Sequence, residues 1–116
     1  MTRKLYAQGD ILLERVDHKV PENVEPINVH PDGAVVLAEG EVTGHRHAFY
    51  ENAMMFRDDG LARDMPSDLY LGHVVVQDGG AELKHEEHAT IKLEPGVYRV
   101  RRQREATDRD YMLVAD

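Results

Sequence analysis

Apolar residues along this chain fall into short runs, several with a period of two, and no useful length carries the 3.6-residue period of an amphipathic helix. Asp10 to Val16 predicts a first strand, entered from a turn at Gly9. Residues 17–34 hold Pro21, Pro26, Pro31 and Gly33, which exclude a long helix and predict an extended connection around Ile27-Asn28-Val29. Ala34 to Ala38 is apolar on both parities, as in a strand buried on two sides. Glu39-Gly40-Glu41 predicts a turn, so that the residues up to Glu51 lie on a fresh strand. Ala53 to Arg57 predicts another, closed by Asp58-Asp59-Gly60.

Leu69 to Gln77 has the β-branched content of a central strand. Asp78-Gly79-Gly80 then predicts a hairpin with Ala81 to His85. Thr90 to Leu93 alternates cleanly, Glu94-Pro95-Gly96 turns, Val97 to Val100 resumes the alternation, and Tyr111 to Val114 forms the last short strand. Eight or so short strands at regular spacing predict an all-β fold, a sandwich or barrel, in a single domain spanning 1–116.

A chain of 116 residues is large enough to bury about two-thirds of its unfolded surface without covalent staples. It has no cysteine, which removes disulfides and thiolate chemistry and fits a reducing, cytoplasmic setting. Met1 to Leu5 lacks the apolar run of a signal peptide, and no apolar stretch approaches a membrane span, so no membrane partner is expected. The formal charge of −8 argues against general binding to nucleic acid. Arg99, Arg101, Arg102 and Arg104 form a local basic block that suits an anionic substrate, an acidic partner or water.

The candidate chemistry is histidine chemistry. On a strand, His45 and His47 point to one face beside Thr43 and Phe49, and two imidazoles so placed hold one metal ion. Glu51 continues the parity and offers an oxygen ligand. A second cluster, His85-Glu86-Glu87-His88, follows after 37 intervening residues. Residues three apart on a strand face opposite sides, so His85 and His88 share a metal only if the chain turns there. Glu86 or Glu87 then lies beside the metal as a general base. The fold is expected to bring the two clusters together, with His73 facing the core or a neighbour and His18 and His30 in the proline-rich connection.

Gly40 through Glu51 resembles the first conserved motif of the cupin superfamily, a glycine followed by H-x-H and then a glutamate. The resemblance implies a small jelly-roll barrel with a divalent metal in its mouth, and His45, His47 and Glu51 as three ligands. This chain departs from the pattern in three places. Gly40 to His45 is one residue shorter than usual, the glycine after the glutamate arrives only at Gly60, and Pro95-Gly96 is followed by Tyr98 and arginines with no histidine. The fourth ligand then comes from His85 or His88.

Imidazoles with or without a carboxylate suit Zn, Fe, Mn, Ni or Cu and do not suit Mg or Ca. With an open position, such a metal activates water. Glu51, Glu86 and Glu87 are the candidate proton carriers. Tyr98, Arg102 and Arg104 share one strand parity and are the candidate substrate contacts. The leading expectation is a metal-dependent hydrolase of a small anionic substrate. Two alternatives stand beside it: a cupin-type non-haem metal dioxygenase or isomerase, and a non-enzymatic barrel in which the metal staples the fold. Exposed sheet edges make a homodimer one of the expected states.

Overall fold

The computed structural model describes residues 4–40, 43–103 and 112–115. Among the described residues ten strands run in chain order: β1 (Lys4–Gln8), β2 (Ile11–Val16), β3 (Val35–Glu39), β4 (Arg46–Phe49), β5 (Ala53–Phe56), β6 (Tyr70–Val76), β7 (Ala81–Leu83), β8 (Ile91–Leu93), β9 (Gly96–Arg102) and β10 (Met112–Ala115). Among the described residues helix is confined to one 3-10 turn, Asp59–Leu61, where the Asp58 carboxylate accepts from Gly60 N. The chain is therefore nearly all β.

Six strands form one sheet in the order β10-β1-β2-β9-β6-β5, antiparallel except for the β1–β10 pair. The pairs β3–β4 and β7–β8 form two smaller sheets. Reciprocal backbone bonds between Ala48 and Lys84, 3.0 and 2.9 Å, join β4 to the end of β7. Bridges from Ile27 to Met55 and from Val29 to Val35 carry the pairing from β5 across to β3. The short Ile27-Asn28-Val29 segment predicted inside the proline-rich connection is this link. Among the described residues no pairing joins β8 to β10, so the sheet curls without closing into a barrel.

The core lies inside the curl and follows strand parity. Tyr6, Ile11, Leu13, Val74, Val76, Tyr98 and Val100 come from the large sheet, and Val35, Leu37, Phe49, Leu83, Ile91 and Leu93 from the smaller ones. Each of four rows continues, two residues further on, into a polar side chain: Tyr6 into Gln8, Val100 into Arg102, Phe49 back into His47, Leu83 into His85. Alternation thus sends a polar residue from four strands to one end of the core, where the candidate site sits.

One strand goes beyond the sequence reading and one expected pairing does not form. β1 was not anticipated, because Lys4 to Gln8 offers too few positions to show a period. The hairpin expected between β6 and β7 does not form: both edges of β6 are occupied, by β5 and β9, so after the turn at Gly79-Gly80 the chain pairs β7 with β8 instead. The last strand, expected from Tyr111, is described only over Met112–Ala115.

Candidate metal centre

The β3–β4 hairpin presents the first histidine pair. Gly40 N donates to His45 O at 2.8 Å and Gly44 N to Gly40 O at 2.9 Å, closing the loop so that β4 begins at Arg46. His45 therefore stands at the loop's end and only His47 is on the strand. His47 is 6% exposed, and its burial, followed by the nearby His85, pushes its pKa down to about 4.

The second cluster follows β7 and does turn. The Glu87 and His88 backbone N–H groups both donate to His85 Nδ1, at 3.0 and 3.3 Å, wrapping the chain round that ring. All four imidazoles converge: His47 to His85 at 4.3 Å between ring centroids, His85 to His88 at 4.7 Å, His45 to His85 at 5.7 Å and His47 to His88 at 6.2 Å. His85 is also pushed down in pKa, first by burial and then by His88.

Carboxylates surround them. Glu87 Oε1 is 3.3 Å from His45 Nδ1. Glu86 Oε1 accepts from Arg46 N at 2.9 Å, a bond that holds its pKa below the usual carboxylate range. One ligand atom each from His45, His85 and Glu86 lies within 4.8 Å of the others. Donors round a tetrahedral ion with bonds of about 2.1 Å stand about 3.4 Å apart. Small side-chain movements bring this trio to that span, and the nitrogen-rich donor set fits a transition metal rather than Mg or Ca.

A cavity of about 230 Å3 opens onto the cluster, lined by His45, His47, His85 and His88 together with Asp10, Glu39, Glu87 and Arg102. Asp10 and Gln8 are the residues that sequence reasoning missed. Asp10 is carried by the β1–β2 turn, where Gly9 takes a φ of +59°, and it stands between His47 Nε2 at 3.9 Å and Arg102 Nη1 at 3.2 Å. Gln8 is fully buried beneath His47. The signal available was the Gly9-Asp10 pair as a hairpin turn, which places its neighbours at a strand end.

The remaining predicted residues part company. Glu51 does not join the cluster: β4 stops at Phe49, Asn52 turns the chain with a φ of +57°, and Glu51 lies exposed beside a different cavity lined by Gly79, Glu82 and Lys92. Tyr98 is a core residue, with its hydroxyl donating to Glu94 O at 2.7 Å and its ring edge-on to Tyr6, and burial pushes its pKa up to about 12. Arg102 shares its parity and does reach the cavity. Arg104 lies outside the described residues. His73 faces away from the core, fully buried, with Nε2 3.1 Å from His18 Nε2 and Nδ1 2.7 Å from the Tyr70 hydroxyl. His30 does not line the cavity.

No curated protein and no solved structure matches the chain. Residues 7–103 match a domain of unknown function, DUF8820, a span that includes both histidine clusters, Gln8, Asp10 and Arg102. The chain belongs to the DUF8820 family.

Proposed function

We propose that this protein is a metal-dependent enzyme that hydrolyses a small anionic substrate at the histidine cluster. The observation that carries the reading is the convergence of His45, His47, His85 and His88 on one cavity from two separate parts of the chain. A divalent transition metal in such a site supplies water activation at neutral pH, by lowering the pKa of water to about 7.

The chain's own residues supply the rest. His45, His85 and Glu86 would hold the ion, and His47 Nε2 and His88 would complete its ligands. Glu87, exposed at the cavity edge, accepts and returns the proton. Arg102 orients a carboxylate or phosphate once it leaves Asp10. Asp10, Glu39 and Glu87 line the same cavity, so an anion is held there only when their charge is offset.

The test is turnover of carboxylic esters, amides and phosphate esters by zinc-loaded protein without oxygen. The expected result is hydrolysis that disappears in His45→Ala and shows a raised KM for anionic substrates in Arg102→Met. Turnover only with iron and oxygen, or none with any substrate, contradicts the reading. A second reading is favoured by where the ligands sit. They tie the β3–β4 loop to the β7–β8 loop, which belong to two different sheets, and a metal there that serves only as a staple predicts unfolding on chelation and no turnover.

A further inference from the structure

Beneath the cluster, the Gln8 side chain makes three hydrogen bonds. Its Nε2 donates to Leu83 O and to Ala89 O, both at 2.9 Å, and its Oε1 faces His47 Nδ1 at 2.8 Å. Two of these partners are carbonyl oxygens, which only accept, so the amide nitrogen must face them and the amide oxygen must face the ring. An oxygen acceptor at 2.8 Å requires a proton on His47 Nδ1. A neutral imidazole carries one proton, so Nε2 is left with its lone pair. Through that lone pair, Nε2 is the atom that binds a metal.

Leu83 and Ala89 bracket the loop that carries His85 and His88. The same amide therefore fixes the orientation of one histidine and pins both ends of the loop that brings in two others. His85 is set the opposite way. Its Nδ1 accepts from two backbone N–H groups, so its neutral form carries the proton on Nε2, and His85 joins an ion through Nδ1 only by displacing those two donors.

We propose that Gln8 is the positioning residue of the site, holding His47 as the Nδ1–H tautomer and presenting His47 Nε2 to the cavity as a metal ligand. This rests on the metal-binding part of the proposed function. The role is that of an outer partner which orients a ligand, a contribution of about 10–100-fold in metal affinity.

The experiment is long-range 1H–15N correlation of histidine rings in metal-free protein at pH 8, repeated with zinc. The expected spectrum assigns the proton to Nδ1 in His47 and to Nε2 in His85, and zinc shifts His47 Nε2. Gln8→Leu mixes the His47 tautomers and weakens zinc binding by about 10–100-fold. A proton on His47 Nε2 in the metal-free native protein overturns the proposal, and that spectrum decides even if Gln8→Leu does not fold. A folded Gln8→Leu with unaltered tautomer also overturns it. The Nδ1–H tautomer in protein that takes no zinc keeps Gln8 as the tautomer-setting residue and overturns the metal reading instead.

Discussion

The imidazole of His47 lies over that of His85 with ring centroids 4.3 Å apart and planes tilted by 37°. Two rings so close repel when both are protonated, and burial already holds both in the neutral form, the form that binds metal. A saturating transition metal is therefore expected to raise thermal stability. At a free concentration 100 times the dissociation constant the gain is about 2.7 kcal/mol. Thermal melts with and without zinc, and after chelation, check this. His47→Ala/His85→Ala should show no zinc-dependent shift.

Behind the large sheet, His73 gives an acid dependence that does not involve the site. Burial, aided by His18 and Arg99, holds its pKa at about 4 against an ordinary 6.5, while Asp58 and Glu14 oppose the shift and Tyr70 bonds its other nitrogen. The unfolded chain takes up the proton more readily than the folded one. The stability due to neutral His73 is thus fully present above pH 6.5 and lost as pH falls towards 4, by on the order of 3 kcal/mol. Urea unfolding at pH 7, 5.5 and 4.5 measures the loss, and His73→Phe should flatten part of the slope.

Glu14 and Arg99 form a buried ion pair on that same face, with Arg99 Nη2 2.6 Å and Nε 2.9 Å from Glu14 Oε1, and Glu14 is only 2% exposed. Arg99 also binds Asp64 at 2.6 Å and so draws the loop before β6 onto the sheet. Arg99→Met alone should destabilise by about 3–5 kcal/mol, because it leaves a desolvated carboxylate without its guanidinium. Glu14→Leu/Arg99→Met should recover most of that loss. Denaturant midpoints of the two variants compare them directly.

Gly9 is held by two constraints at once. Its φ of +59° disfavours any side chain, and a Cβ there meets His88 Nε2 at 2.8 Å and His47 Cε1 at 3.4 Å. Gly9→Ala should cost about 1–3 kcal/mol in stability and also weaken zinc binding, since His88 has to move. Calorimetric titration with zinc separates the two effects.

What the sequence made legible was what alternation controls. The alternation of β9 puts Tyr98, Val100 and Arg102 on one parity, with Arg102 reaching the cavity, and the two histidine clusters do meet. Glu51 was misplaced because parity holds only while a strand lasts, and β4 ends two residues before it. Which strands pair was not legible either. Nothing local to Asp78-Gly79-Gly80 shows that both edges of β6 are already taken. Gln8 escaped notice for a related reason, since its three partners lie 39 to 81 residues away and only the fold gathers them.

The central claim is that the four histidines hold a transition metal. Its most direct test is the metal content of protein purified without a histidine tag or added metal, together with titration by zinc, manganese, iron and nickel, in the native chain and in His45→Ala/His47→Ala. The native chain is expected to hold stoichiometric metal, native or acquired on titration, and the double variant to lose it. An equal lack of metal and of tight binding in both proteins contradicts it.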